Sequence, residues 1–347
     1  MRRIDVSAVN PIARRNASGV TILAEAAQGY EGEPTLARLL VRAAARGGAD
    51  MVKFQIIFAD ELAVPGYRHY QLFKQLEMSS EAWHKVAEET ARSGIAIAFD
   101  VYGERSLSLA LEVGASAVKI HATDFFNHAL VEAALRSAPQ VYFSAGGIEI
   151  DEVDEFLRRH APYAQDKLTM LCGFQAEPTA PGDNNIARLA VLRQRFPSLP
   201  FGFMDHAEGE SDEALWLGVL ALPYGITAIE KHITIDRSLQ LEDYVSAVAA
   251  DNFSRYVKRI RLAEAALGTS DLTLTEAERA YRRRAAKVVV AIRHVPRGNI
   301  VRATDVRLLR ASLDENQRPY HRLEAVVGRP TKREVAPERP VLEEDLA

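Results

Sequence analysis

The chain has 347 residues, 48% hydrophobic and 26% charged, a balance that excludes disordered and fibrous classes and implies at least one full-sized core. Lys and Arg number 43 against 47 Asp and Glu, and the net charge of −4 offers no general attraction to nucleic acid or an anionic membrane, so the expected partner is a small molecule. The one cysteine, Cys172, cannot close an intrachain disulfide. The opening MRRIDVSAVNPIARR lacks the apolar stretch of a secretory signal, and no segment has about 18 consecutive apolar residues, so the expected location is cytoplasmic.

Short β-branched and apolar runs recur along the chain: TILAEA at Thr21, MVKFQ at Met51, IAIAF at Ile95, AVKIH at Ala117, QVYFS at Gln140, LTMLC at Leu168, FGFMD at Phe201 and AIEKH at Ala228. Between them lie segments such as PTLARLLVRAAARG after Pro34, SSEAWHKVAEETARSG after Ser79, ALVEAALRSA after Ala129 and IARLAVLRQRF after Ile186, whose apolar residues recur at helical spacing. Alternating strand and helix implies parallel pairing, and eight such units predict a closed (β/α)8 TIM barrel. A glycine followed by a short strand recurs at Gly48, Gly94, Gly114 and Gly225, each expected to end a helix and turn the chain into the next strand.

Past the helix expected over Asp251 to Leu267, the polar stretch GTSDLTLTEAERAYRRRAAK gives way to short strands and a turn-forming PRG. The boundaries read as a barrel over 1–268, a linker over 269–284 and a small module over 285–347.

In a TIM barrel the active site is built from strand C-termini and the loops after them. Lys53, Lys119 and Lys231 stand at such ends and are expected to converge on one mouth and give it a positive field for an anionic ligand, although lysines there can also cap strands in solvent. His206 and His232 end neighbouring strands, with Asp205, Glu230 and Asp243 nearby. Two neutral imidazoles with oxygen ligands suit a divalent transition metal with open positions, and a hydrogen-bonding role is the alternative. Ser144, followed by Ala145-Gly146-Gly147, Glu25 and Gln55 are further polar candidates.

The phrases LAEA at Leu23, GADMVKFQ at Gly48, VKI at Val118, FSAGG at Phe143, EPTAPGDNN at Glu177, FGFMDHAEG at Phe201, IEKHITID at Ile229 and VVVAIRHVPRGNIVRATDVRLLR near the end follow one another over nearly the whole chain. Together they resemble the sialic acid (N-acetylneuraminate) synthase family and its relatives that make other nonulosonic acids. The late segment is similar to that family's antifreeze-like (SAF, β-clip) domain. The resemblance implies a transferase that condenses phosphoenolpyruvate with an aldose, an N-acyl hexosamine or related sugar, to give a 2-keto-3-deoxy sugar acid and phosphate. It implies His206 and His232 as ligands of a divalent metal, manganese first with magnesium or cobalt as alternatives. Lys53, Lys119 and Ser144 match phosphoenolpyruvate contacts, while Glu25, Gln55 and Asp243 match acceptor-side groups, with Glu25 a candidate base. Arg310 matches an arginine that the partner subunit's antifreeze-like domain places over the barrel mouth, which implies a domain-swapped homodimer.

This chain departs from the family pattern on the acceptor side. EAAQGYEG puts Gly29, Tyr30 and Glu31 where the family has Asn-His-Asn, and HATD after Lys119 replaces Ala-Ser-Gly-Glu, leaving Asp124 as the carboxylate and Thr123 or His121 to take the place of the lost hydroxyl on the donor. Met204 replaces a serine, Gln175, Ala176, Glu177 and Pro178 replace Asn-x-Tyr-Pro, and ASLDENQ follows Arg310. Two other readings stay open: a class I aldolase forming a Schiff base at Lys119 or Lys231, and a sugar- or phosphoenolpyruvate-binding barrel without catalysis.

Overall fold

Eight parallel strands pair in sequence order: β1 (Thr21–Ala27), β2 (Met51–Gln55), β3 (Ala96–Val101), β4 (Ala117–Ile120), β5 (Val141–Ser144), β6 (Leu168–Cys172), β7 (Phe201–Asp205) and β8 (Ala228–Thr234). β8 pairs back onto β1, with Glu25 opposite His232, and closes the expected TIM barrel. The computed structural model describes residues 19–347 apart from 165, 166 and 315, so the opening MRRIDVSAVNPIARR lies outside the described residues.

The helices between strands follow from local sequence. Pro34 opens the helix Pro34–Gly47, where its fixed φ suits the first turn and its missing N–H costs nothing. Ser79 caps Ser80–Ser93 by accepting a bond from the Ala82 N–H. The four recurring glycines all adopt positive φ, as their role at helix ends requires: 86° at Gly48, 71° at Gly94, 81° at Gly114 and 72° at Gly225. The main core lies between the barrel and these helices, where Val41, Phe54, Trp83, Phe99, Phe143 and Phe156 are buried.

A second, smaller cluster fills the barrel interior with one residue from each strand: Leu23, Met51, Ala98, Ala117, Tyr142, Leu171, Met204 and Ala228. Because side chains alternate along a strand, this layer fixes which residues face inward for the whole barrel. It is the apolar plug beneath the mouth.

The chain divides into two compact units, the first ending at Ser270 and the second spanning Asp271–Ala347. In the second, strands β9 (Val288–Ala291) and β10 (Val306–Leu309) pair antiparallel. Around them Val289, Val295, Val301, Val326, Val335 and Val341 form a small core of their own. The segment read as a linker holds a ten-residue helix, Glu276–Ala285, whose Thr275 and Glu278 form a reciprocal capping box.

Candidate active site

Two residues beyond the apolar plug, on the same inward face, stand Glu25, Lys53, Asp100, Lys119, Ser144, Gly173, His206 and Glu230. The Lys53 ammonium contacts the Glu25 carboxylate and lies 2.7 Å from Asp100 Oδ1 and 3.6 Å from Glu230 Oε2. Lys119 Nζ is 2.7 Å from Glu230 Oε1 and 3.8 Å from Asp100 Oδ2. All five groups are buried. Burial alone would raise the Glu230 carboxyl, but Lys119 and Lys53 overcome it and bring it down to about 2. Burial likewise opposes charge on Lys119, yet Asp100 and Glu230 hold its ammonium above the usual lysine range.

The expected positive field is therefore corrected. Three carboxylates enclose the two lysines and offset their charge, while burial lowers the Lys53 ammonium below the usual lysine range.

Lys231 does not share the mouth with Lys53 and Lys119. It lies one residue from both Glu230 and His232 on β8, so alternation turns it to the helix side, where it is fully buried 2.6 Å from Asp205 Oδ1. Asp205 is turned outward for the same reason and is not a carboxylate of the mouth. The Schiff-base reading loses both of its lysines, since Lys231 faces away and Lys119 is held as an ammonium ion rather than the free amine a nucleophile needs.

His206 and His232 do meet. Their Nε2 atoms are 3.2 Å apart, and the rings are 8% and 6% exposed. Burial is the main cause that lowers His206 to about 3 and His232 well below its ordinary value, so both rings are neutral near pH 7 with lone pairs to offer. Neither Nδ1 has a hydrogen-bond partner. One N–H···N bond could span such a gap, but so could two adjacent ligands each about 2.0–2.1 Å from one ion. The donor set fits a divalent metal. Glu230 is engaged by the lysines, and Asp243 Oδ2 accepts from the Gln28 N–H at 3.2 Å. Among the described residues no group of three or more His, Cys, Asp or Glu side chains is arranged to hold an ion, so water or substrate would complete the shell.

Around this centre the other candidates fall into two hydrogen-bonded chains. Ser144 Oγ donates to Gln175 Oε1 at 3.1 Å, Gln175 Nε2 is 3.3 Å from His121 Nε2, and His121 Nδ1 is 3.1 Å from Thr123 Oγ1, which donates to Asp124 Oδ2. On the other side Gln28 Nε2 donates to Gln55 Oε1 at 2.8 Å while its backbone reaches Asp243. Burial, with Glu177 adding to it, pushes the Asp243 carboxyl up to about 6.

Sequence reasoning missed Asp100 and Tyr102. Both lie on the inward parity of β3 and its continuation, and Tyr102 is a buried phenol held well above its usual range by burial, with Asp100 and Asp243 adding to it. Arg310 lies in the second unit, exposed, beside a hollow that Arg283, Arg284 and Ser312 also line.

Residues 40–271 match the model of the NeuB family. The chain belongs to the NeuB family. Residues 286–347 match the SAF domain, as expected for the small module. Among curated relatives of this NeuB protein, N,N'-diacetyllegionaminic acid synthase of Legionella pneumophila is 27% identical, over 83% of this chain and 85% of that one. The human N-acetylneuraminate-9-phosphate synthase is 24% identical, over 81% and 80%. A solved N-acetylneuraminic acid synthetase from Leptospira borgpetersenii superposes with a TM-score of 0.69 at 25% identity, covering 77% of this chain and 92% of that one. A putative spore coat polysaccharide biosynthesis protein E from Chromobacterium violaceum shares the fold over 94% and 99% of the two chains, with a TM-score of 0.75 at 23% identity. Its relatives include N-acetylneuraminate-9-phosphate, legionaminic and pseudaminic acid synthases, and the chain is an enzyme of that family.

Proposed function

We propose that this NeuB enzyme condenses phosphoenolpyruvate with an open-chain aldose in a metal-dependent reaction, giving a nonulosonic or related 2-keto-3-deoxy sugar acid and phosphate. The observation that carries the reading is the pair of neutral imidazoles, 3.2 Å apart between Nε2 atoms, set beside the lysine–carboxylate layer. His206 and His232 would hold the ion, with manganese first and magnesium or cobalt as alternatives. A divalent cation held there would supply Lewis acidity toward an aldehyde oxygen and would add positive charge beside the lysines, the sign an anionic donor requires.

The protein's own groups supply the rest. Lys53 and Lys119, fixed in place by Glu25, Asp100 and Glu230, orient the donor's carboxylate and phosphate so that its C3 faces the acceptor carbonyl. Glu25, held by the Ala27 N–H at 2.7 Å, takes the proton of the water that adds at C2. The C2=C3 electron pair forms the new bond to the acceptor carbonyl carbon, whose oxygen takes up a proton, and the C2 hydroxyl gives up its proton as phosphate leaves by C–O cleavage to form the 2-keto group. Ser144, Gln175, Thr123 and Asp124 line one side of the substrate space, and Gln55 and Asp243 the acceptor side.

Gly29, Tyr30 and Glu31 alter the acceptor loop: Tyr30 spends its hydroxyl on the Gln55 carbonyl at 3.0 Å, and Glu31 holds the Glu242 N–H at 2.6 Å. Polar groups committed to the protein are not free to read a sugar's hydroxyls, so the acceptor is to be sought among N-acyl hexosamines and other aldoses alike. We further propose that Arg310 serves a second copy of the chain in a domain-swapped homodimer, which light scattering tests by mass. The proposed location is cytoplasmic; Cys172 is a free, buried thiol, and among the described residues no helix is long and apolar enough to cross a membrane.

The test is phosphate release from purified protein with manganese, phosphoenolpyruvate and a panel of N-acyl hexosamines and other aldoses. Release that depends on one acceptor and stops on chelation supports the reading. No release with any acceptor overturns it and favours a binding protein without turnover.

A further inference from the structure

The outward pair Asp205 and Lys231 has no part in the chemistry above, yet both are fully buried, and a buried ion pair is poor value for stability alone: well-packed apolar residues of similar volume commonly hold a structure as well. Their place is specific. Asp205 and Lys231 are directly opposite one another in the β7–β8 register, and the next residue on each strand is a histidine of the candidate metal centre. One cross-strand pair points to the helices and is closed by a 2.6 Å Nζ–Oδ1 contact; the next points into the mouth with its Nε2 atoms 3.2 Å apart. Asp205 Oδ1 also accepts from the Ala207 N–H at 3.2 Å, bridging the backbone on both sides of His206.

We infer that the Asp205–Lys231 ion pair is a positioning device: it fixes the separation and twist of β7 and β8 at their ends, and through them the spacing of the His206 and His232 imidazoles. This rests on the metal reading of the histidine pair. Asp205 and Lys231 touch no substrate; they act through the strands that carry the ligands.

The experiment titrates chelator-treated, full-length protein with manganese chloride and follows free manganese by its paramagnetic resonance signal, with thermal unfolding measured in parallel. Asp205→Asn and Lys231→Met are each expected to weaken manganese binding about 10–100-fold, the effect typical of losing a partner that orients a metal ligand. The double variant Asp205→Leu/Lys231→Met restores most of the melting temperature but not the affinity, which separates positioning from bulk stability. A long-range charge effect would act differently, with Lys231→Met tightening and Asp205→Asn loosening the ion, and that result overturns the inference. So do single variants that bind within about twofold of the native protein, or a folded double variant with native affinity. Should the single variants fail to fold, the double variant decides. His206→Ala is the control: if it binds manganese like the native protein, the metal reading falls and this inference with it, whereas loss in His206→Ala with native binding in the others removes the inference alone.

Discussion

Glu230→Gln keeps the size of a buried side chain and deletes the charge that faces Lys119 at 2.7 Å and Lys53 at 3.6 Å. The native structure lowers this carboxyl from 4.5 to about 2. At about 1.4 kcal/mol per pH unit, that is about 3 kcal/mol of stabilisation at neutral pH. Breaking a buried ion pair by removing one partner costs a similar amount, about 3–5 kcal/mol. In a domain of barrel size this corresponds to a fall in melting temperature of roughly 6–12 °C. Because the folded value lies below the unfolded one, the contribution is complete above the unfolded value of 4.5 and is lost as pH falls through about 2. Trp83 and Trp216 both lie in the unit that ends at Ser270, so tryptophan fluorescence reports its unfolding. Melting followed this way at pH 7 and pH 3 should show the full gap at pH 7 and less than half of it at pH 3. Equal midpoints at pH 7, or a gap of the same size at both, would refute the charge-network reasoning.

Asp243→Asn tests the opposite sign: a carboxyl raised from 3.8 to about 6 is destabilised in its charged form, so the variant should melt above the native protein at pH 7, with the gap narrowing as pH falls below about 6 and gone below 3.8. A variant that melts lower at pH 7 contradicts this. Glu25→Gln should lower turnover by about 10²–10⁴-fold while manganese still binds, as a lost general base would, and native turnover rules out that role. At Gly173 an added Cβ would sit 1.9 Å from the Met204 carbonyl oxygen, and that backbone lies just before His206. Gly173→Ala should therefore destabilise the barrel by roughly 1–3 kcal/mol in chemical unfolding, and an unchanged midpoint would show that β7 yields freely.

The strands were legible because β-branched runs alternate with amphipathic helices and because four glycines mark helix ends by their need for positive φ. The face each strand residue presents was not. All seven residues of AIEKHIT are buried, so β8 has no polar and apolar alternation to reveal which side is inside, and Lys231 reads like Lys53 until the apolar plug anchors the count. Asp100 stands next to the end of its strand in an ordinary way; its contacts with both lysines exist only once the barrel closes. The histidine pair was visible as two strand ends, whereas the bonds from Gln28 to Gln55 and Asp243 depend on loops, including Asp243 itself at a φ of 62°, whose path no local pattern dictates.

The most direct measurement is anomalous X-ray scattering at the manganese edge from a crystal grown with manganese and phosphoenolpyruvate. The expected result is one strong peak within bonding distance of Nε2 of both His206 and His232, with the donor's density against Lys53 and Lys119. Imidazoles bonded only to each other, with the anomalous signal elsewhere or absent, would contradict it.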